Sequence, residues 1–308
     1  MSPAKAAAAN VCAGRRQVAI SSPDKMMFPD VGVTKLELAE HYARVAPAML
    51  PHVRERPVTM HVFPAGLRRP GIYIKKAAAH FPDWIPRVTV AKRDGSTSMA
   101  IVNEAAALVF LAGQNCITPH FWPARADDLA KPDRLIFDFD PPEGTDFADI
   151  RAGARATGDL LREVGLVPFA MTSGSRGLHV ITPLRRDVGW DEARAFADAV
   201  GERVAEEDPD HLTTAFRIAK RGGRIYVDTT RNAYAQHGVA PYAVRAKPGA
   251  PVAAPLHWEE LSDAGLTAHS WDIRTIGDRL ASDGDPWKGM GRNARSVRKA
   301  AAKLAKLG

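Results

Sequence analysis

The feature that most constrains how this chain can fold is a pair of aspartates at the end of an apolar run. Residues 133–142 read Asp-Arg-Leu-Ile-Phe-Asp-Phe-Asp-Pro-Pro, which places Asp138 and Asp140 two positions apart. In a β-strand, residues i and i+2 point to the same face, so both carboxylates project from one side of a strand. Such close like charges repel unless something positive lies between them. Mg²⁺ or Mn²⁺ would suit these hard oxygen ligands, and a polar strand end facing water is the alternative.

The elements predicted around these aspartates follow the order strand, helix, strand, turn, strand, helix, strand. Their predicted ranges are 134–140, 149–164, 168–172, 177–182, 190–206 and 224–228. This order predicts an open mixed or antiparallel sheet with helices packed on one face. Nearer the N-terminus, Thr34 and Glu37 predict a capping box that opens a helix over residues 35–49.

Charge and cysteine content limit the possible functions. The 308 residues carry a formal net charge of +7. Residues 288–308 contain seven lysines and arginines and no acid, so this segment alone accounts for the excess. Such a segment is either a binder of polyanions or a solvated helical or disordered tail. Cys12 and Cys116 form no disulfide or metal pattern, which is typical of a reducing cytoplasm. No apolar stretch is long enough to span a bilayer.

A third aspartate and a glycine-containing turn extend the candidate site. Asp228 ends the apolar strand 225–227, as Asp138 ends its own strand, and the two strand ends could converge on one metal site. Residues 172–179 form a Ser/Gly turn between two predicted strands. Its backbone N–H groups, hydroxyls and Arg176 could cradle a triphosphate, and an ordinary hairpin turn is the alternative. The turn lacks the spacing of a P-loop and of a serine-hydrolase elbow.

These segments, taken together, resemble a known family. Asp-Phe-Asp-Pro, Ser-Gly-Ser-Arg-Gly-Leu-His and Tyr-Val-Asp occur in that order at 138–141, 173–179 and 226–228. They resemble the three motifs of archaeo-eukaryotic primase-polymerases, and more closely those of the polymerase domain of the bacterial end-joining ligase D. Further agreement lies at Asp24-Lys25, Thr34-Lys35, Arg56-Pro57, Arg231-Asn232, 240–245 and 252–255.

The resemblance implies a fold and a domain organisation. It implies an α+β protein of the primase-polymerase type, with an RRM-like catalytic core and mixed or antiparallel β-sheets flanked by helices. We therefore expect a flexible N-terminus over residues 1–16, one catalytic domain over 17–287 and a basic C-terminal tail over 288–308. The chain would be either a stand-alone member of the family or an excised domain.

The resemblance also implies the residues of the active site. By match to the first and third motifs, Asp138, Asp140 and Asp228 would be the catalytic carboxylates and would hold two Mn²⁺ or Mg²⁺ ions per active site. The residues that would contact the incoming nucleotide are Ser173, Ser175, Arg176, His179, His120, Arg231 and Arg245.

Contacts with DNA are implied in the same way. Lys25 and Lys35 match residues that grip a 5′-phosphate on the downstream strand of a gap. Tyr73 takes the place of an aromatic that stacks on a templating base, and Arg221 is the second expected template contact. His61-Val62 departs from the family, because a Lys-Arg pair can occur there.

The implied activity is template-dependent nucleotidyl transfer by a DNA-directed primase-polymerase that prefers ribonucleotides. The enzyme would extend primers at short gaps or broken DNA ends with a downstream 5′-phosphate, in end joining or gap-filling repair. Its expected partners are gapped or broken double-stranded DNA, nucleoside triphosphates, a separate DNA ligase and an end-binding protein. We expect a protein of the bacterial cytoplasm, associated with the nucleoid and not with a membrane.

Two other classes of function use the same residues. A metal-dependent nuclease or phosphoesterase could be built on the three aspartates, although hydrolysis needs no triphosphate cradle. A non-catalytic DNA-end-binding repair module could use Lys25 and Lys35, although the intact set of acids is then unexplained.

Overall fold

The computed structural model describes residues 8–307 of the chain. In the first part of the chain its helices and strands are β1 (Ala9–Ala13), β2 (Arg16–Ile20), β3 (Met26–Phe28), β4 (Val33–Thr34), α1 (Lys35–Val53), β5 (Val58–Val62), β6 (Pro64–Leu67), β7 (Ile72–Ile74), β8 (Arg87–Lys92), β9 (Gly95–Ala100), α2 (Ala105–Gly113) and β10 (Cys116–Phe121). They continue as β11 (Ala124–Arg125), β12 (Asp128–Pro132), β13 (Arg134–Asp140), α3 (Phe147–Glu163), β14 (Phe169–Thr172), β15 (Leu178–Pro183), α4 (Trp190–Glu207), β16 (Leu212–Thr213), β17 (Ile225–Asp228), β18 (Gly238–Val239), β19 (Pro255–Leu256), α5 (Ile276–Asp283) and α6 (Val297–Leu304). This is the α+β composition that the sequence predicts.

The chain divides into two compact units, and the expected single catalytic domain over residues 17–287 stays a prediction. The first unit runs to Phe121 and also contains Val239–Ala253 and Trp271–Gly284. The second contains Trp122–Gly238, Ala254–Ser270 and the chain from Asp285 onwards. None of the helices within residues 8–307 combines the length and the apolar character needed to cross a bilayer.

The first unit is built around α1 and a small sheet. The predicted capping box is present, because Thr34 Oγ1 accepts from Glu37 N and Glu37 Oε2 accepts from Thr34 N. Leu38, Tyr42 and Val45 follow at helical spacing and are almost fully buried. The sheet has the order β10-β5-β7, and β18 extends it at the β10 edge. Both of its long pairs are antiparallel, and they position the histidines and tyrosine discussed below.

The second unit contains a six-stranded sheet with the order β16-β17-β13-β15-β14-β19. All neighbours in it are antiparallel except β16 and β17, which are parallel. The acid-bearing strand β13 is therefore central, between β17 and β15. This confirms the mixed sheet that the order of elements predicts.

The two long helices of this unit cover the sheet face opposite to the acids. Gly153 of α3 lies so close to the sheet that a Cβ there would be 3.0 Å from the Phe139 ring. A Cβ at Gly201 of α4 would be 3.7 Å from Val227, the residue opposite Phe139 in the β13–β17 pair. Because side chains alternate along a strand, Asp138 and Asp140 point away from both helices. The helices bury one face and leave the other to the polar site.

Both ends of the chain carry regular structure where the structure describes them. Residues 9–13 pair with β2 as an antiparallel strand, because Val11 and Ala13 bury their side chains on alternate positions. Residues 1–7 of the expected flexible segment lie outside the described residues. At the other end, α6 begins at an N-cap serine, Ser296, and buries Val297 and Ala300.

Candidate active site

The three predicted acids lie side by side on one face of the second unit's sheet. In the antiparallel β13–β17 pair, Asp138 is directly opposite Asp228, and Asp140 is opposite Tyr226. Directly opposed residues share a face, so the predicted convergence of the two strand ends is confirmed. On the other side of β13, His179 of β15 is directly opposite Asp138. Asp228, Asp138 and His179 therefore form a row across three neighbouring strands.

The turn after β17 fixes the end of this row. Asp228 Oδ1 accepts hydrogen bonds from the backbone N (2.8 Å) and the hydroxyl of Thr230. Two residues later, the buried Asn232 side chain accepts from Ile136 N (2.8 Å) and donates to Ile136 O (2.7 Å). The amide of Asn232 thus continues the hydrogen-bond ladder of β13 after β17 has ended. Buried backbone groups that would otherwise lack partners are satisfied, and β13 is held next to the turn.

Arginine side chains neutralise the acids. The Arg231 Nε lies 3.7 Å from Asp138 Oδ2 and 3.5 Å from Asp228 Oδ2, so one guanidinium lies between two opposed carboxylates. The family resemblance implies a nucleotide contact for Arg231, and that role stays a prediction. The contact with the acids could not be read from sequence, because it depends on how the turn after β17 folds back.

Asp140 is paired with two further arginines. Arg176 Nη2 lies 3.4 Å from Asp140 Oδ1, and Arg221 Nη1 lies 3.5 Å from Asp140 Oδ2. Arg221 also lies over the Tyr226 ring, with its guanidinium carbon 4.0 Å from the ring centroid. The pKa of the Tyr226 phenol is raised to about 12, mainly by burial and secondly by the charge of Asp228, so the phenol is protonated at physiological pH. Arg221, expected at the template, therefore lies in the acid cluster.

The Ser/Gly turn between β14 and β15 is held by its own serine. Ser173 Oγ accepts hydrogen bonds from Ser175 N (3.2 Å) and Gly177 N (3.0 Å). Gly174 adopts a φ of +59°, which favours glycine. A Cβ at Gly177 would be 1.8 Å from the Phe139 carbonyl oxygen, so only glycine allows the turn to pass β13 this closely.

This packing brings the turn to the acids. It leaves Arg176 exposed above Asp140, and it places the buried His179 with Nε2 3.1 Å from Asp138 Oδ1. The turn, the acids and three arginines are thus one cluster in the second unit.

The other predicted nucleotide and template residues belong to the first unit. His120 is 8% exposed, and its Nδ1 lies 3.2 Å from Thr118 O. The ring of Tyr73 stacks on the ring of His61, with centroids 4.1 Å apart. Burial, and next the charge of Arg245, lower the pKa of the His61 imidazole to about 4. His61 is therefore close to three predicted site residues, His120, Arg245 and Tyr73. From the sequence, His61 was identified only as a departure from the family pattern.

Lys25 and Lys35 also belong to the first unit, and they are neighbours. Lys35 N donates to Lys25 O at 2.8 Å. Lys35 is only 3% exposed, and its Nζ makes a long hydrogen bond of 3.4 Å to Ser21 Oγ. The Lys25 ammonium donates to Asn115 Oδ1 at 2.7 Å. Burial lowers the pKa of both side chains, and the charge of Lys25 lowers that of Lys35 further. The charges of the two side chains therefore oppose each other.

Asp138, Asp140 and Asp228, together called the acid row, have the donor chemistry for a divalent cation. Their carboxylates are hard oxygen ligands on one face of two adjacent strands, as Mg²⁺ and Mn²⁺ prefer. As the side chains lie, no group of three or more His, Cys, Asp or Glu residues among residues 8–307 converges closely enough to hold an ion. The guanidinium groups of Arg176, Arg221 and Arg231 occupy the space between and beside the carboxylates. As the side chains lie, these guanidinium groups supply the positive charge beside the carboxylates.

Comparisons with known proteins identify the family of this chain. The family described as LigD, primase-polymerase domain, matches residues 34–287. The multifunctional non-homologous end joining protein LigD of Mycobacterium bovis is 36% identical over 281 residues, which is 89% of this chain and 37% of that protein. The corresponding LigD of Pseudomonas aeruginosa is 35% identical over 92% of this chain and 34% of its own length. The chain thus spans about a third of the length of these relatives.

A solved structure shows the same fold. It is the polymerase domain from Mycobacterium tuberculosis ligase D in complex with DNA, with a TM-score of 0.85 and 34% identity. The match covers 90% of this chain and 99% of that one, so the shared part of the relatives is their polymerase domain. With three motifs in order, a matching fold and a family match over most of its length, this chain belongs to the LigD primase-polymerase domain family.

Proposed function

We propose that this chain is a template-dependent polymerase that extends primers at short gaps or broken DNA ends in non-homologous end joining or gap-filling repair. The observation that carries the proposal is the row of opposed carboxylates, flanked by the Ser/Gly turn and by arginines. Membership of the LigD primase-polymerase family supports it, and so does the likeness to a polymerase domain in complex with DNA. In the reaction, a primer 3′-hydroxyl attacks the α-phosphate of a nucleoside triphosphate and pyrophosphate leaves.

The carboxylates would hold the metal ions, and the arginines would hold the triphosphate. Asp138, Asp140 and Asp228 would bind two Mn²⁺ or Mg²⁺ ions, which supply activation of the hydroxyl and neutralisation of developing charge. Arg176 and Arg231 end within reach of the same carboxylates, and planar guanidinium groups also suit phosphate oxygens. These arginines can therefore exchange a carboxylate partner for a phosphate partner when a nucleotide enters.

His179 has a positioning role in this scheme. Its Nε2 lies 3.1 Å from Asp138 Oδ1, and the side chain is only 6% exposed. A hydrogen bond at that oxygen fixes the carboxylate plane and leaves Oδ2 directed at the Arg231 side. The remaining nucleotide contacts that we propose are Ser173, Ser175, His120 and Arg245.

One extension assay tests the proposal against its rivals. The substrate is a labelled gapped duplex with a downstream 5′-phosphate, incubated with Mn²⁺ and ATP, CTP, GTP and UTP. Extension of the primer supports the polymerase, shortening supports a nuclease, and a mobility shift without product supports a non-catalytic end binder.

A matched pair of variants links any extension to the acid row. Asp140→Asn keeps the side-chain shape and removes one charge, so extension should fall by at least about a hundredfold, since the metal site contributes several kcal/mol to transition-state stabilisation. Asp83→Asn removes an exposed carboxylate elsewhere and serves as the control. Near-normal extension by Asp140→Asn would remove the acid row from the mechanism.

A further inference from the structure

His61 lies at the centre of an aromatic cluster on one face of the first unit's sheet. In the antiparallel β5–β7 pair it is directly opposite Tyr73. Phe63, the residue after the end of β5, brings its ring within 4.4 Å of the His61 ring. On the other side of β5, His120 is opposite Thr59, one diagonal step from His61. The register of three strands thus brings four rings together.

The geometry of the cluster singles out one pair. The rings of His61 and Tyr73 are nearly parallel, with an interplanar angle of 8° and centroids 4.1 Å apart. Phe63 meets His61 at 4.4 Å and 55°, and His120 meets Tyr73 edge-on at 5.5 Å and 66°. Stacking thus supports the inner face of Tyr73, while tilted and edge contacts restrain both rings from the side.

Tyr73 and His61 differ in exposure. Tyr73 is 57% exposed, whereas His61 is half-buried and Phe63 is 5% exposed. An exposed ring that is stacked on an inner ring presents a flat, rigid surface to solvent. Because the pKa of His61 is about 4, its imidazole is uncharged at physiological pH. The inner ring can then stack as a neutral aromatic without carrying a buried charge.

We propose that His61 is a positioning residue that supports Tyr73 as a platform for an unpaired nucleobase of a DNA template. The inference rests on the proposed function in one respect, since it takes gapped DNA to be the ligand. Flat aromatic surfaces bind bases of any sequence by stacking. His61 supplies the second ring of the stack and fixes the plane that Tyr73 offers.

The experiment is a binding cycle in which both the protein and the base are altered. Fluorescence anisotropy measures the affinity of the full chain for a gapped duplex whose templating position carries either a normal base or an abasic site. His61→Ala should weaken binding to the normal gap by about 2- to 12-fold, the range for one aromatic pair. The same variant should leave binding to the abasic gap unchanged, because that duplex has no base at the templating position to stack on Tyr73.

Two further variants keep the test independent of folding. His61→Phe restores a ring of similar area and should bind both duplexes as the native chain does. His269→Ala, which removes an exposed histidine elsewhere, is the matched control and should change neither affinity. Thermal unfolding of each variant identifies any that fail to fold.

The result that would overturn the inference is an equal loss of affinity for both duplexes in His61→Ala, or no loss at all. A purely structural role would produce the equal loss. Failure of the proposed function is distinguishable, because it would appear as absence of extension by the unaltered chain whatever the binding cycle shows.

Discussion

We propose that Lys25 and Lys35 hold a downstream 5′-phosphate, so replacing both by alanine should abolish the preference that this contact would give for a 5′-phosphate gap over a 5′-hydroxyl gap. The two lysines are joined by a backbone hydrogen bond, and Lys35 is almost completely buried. Their pKa values are lowered by burial and, for Lys35, by the charge of Lys25. A phosphate that binds between them would relieve this mutual repulsion, and a hydroxyl would not.

The expected magnitude follows from the number of charged contacts. A hydrogen bond to a charged group contributes about 1.5–3 kcal/mol, which corresponds to about a 13- to 160-fold change in affinity for each lysine. Lys35 should be the larger contributor, because its ammonium makes a long hydrogen bond of 3.4 Å to Ser21 Oγ and therefore gives up less on binding. Lys25 already donates to Pro64 O and Asn115 Oδ1. If it exchanges these hydrogen bonds for a phosphate, their loss offsets part of the binding free energy that the phosphate contact contributes.

Binding assays with the two duplexes at two salt concentrations provide the measurement. Single and double alanine variants are compared with a control in which two exposed lysines, Lys131 and Lys247, are replaced instead. The double variant should lose the discrimination and bind the 5′-hydroxyl gap almost as before. The control should retain the full discrimination.

The pH dependence gives a second readout of the same pair. Because the free lysines have lowered pKa values, raising the pH removes their charge earlier than for an ordinary lysine, and the preference for phosphate should decline towards alkaline pH. If the double variant still distinguishes phosphate from hydroxyl, the phosphate is held elsewhere and the assignment of these lysines is wrong.

Three further predictions concern substrate choice, stability and the basic helix. Steady-state kcat/KM should be higher for ATP than for dATP on the same template, and a clear preference for dATP would contradict the sugar choice implied by the family resemblance. His41 is fully buried and donates to Tyr242 O, and burial lowers its pKa to about 4. This folded-state pKa lies below the unfolded value near 6.5, so the contribution of His41 to the free energy of unfolding is fully present above pH 6.5. It is lost as the pH falls, by about 2 kcal/mol between pH 7 and pH 5. Urea unfolding at both pH values should show that the free energy of unfolding falls less between pH 7 and pH 5 for His41→Asn than for the native chain. Equal falls in the two proteins would refute this role of His41. Lys299, Lys303 and Lys306 of α6 and its flank should be replaced by glutamine. Binding to both gapped duplexes should weaken alike and depend less on salt, since contacts with the DNA backbone do not depend on the chemistry of the DNA end. An unchanged salt slope would exclude this helix from DNA binding.

The parts of the site that could be predicted from sequence are those set by local patterns. The i, i+2 spacing fixes the common face of Asp138 and Asp140, and the apolar run before Asp228 identifies the partner strand. The capping box at Thr34 and Glu37 was likewise readable, because its two hydrogen bonds join residues three apart.

The parts that could not be predicted depend on contacts between distant residues. The bonds from Asn232 to Ile136 span 96 positions, and no local pattern marks an asparagine side chain that takes the place of a strand. Strand β10 was also missed, since it carries Pro119 in its interior, where a proline lacks a ladder donor. There the proline carbonyl accepts from Ala240 N.

The C-terminal segment has a practical consequence for anyone who shortens this protein. The family match stops at residue 287, and the run of basic residues that follows suggests a dispensable extension. Yet Trp287 is completely buried and donates to Ala170 O at 3.0 Å, and Met290, Val297 and Ala300 are buried after it. Trimming at this boundary would uncover apolar surface on α4 and remove the strand-like pairing of Arg295 with Leu184. Expression boundaries should therefore follow the packing and retain α6, and charge substitution rather than truncation is the sound way to study its basic residues.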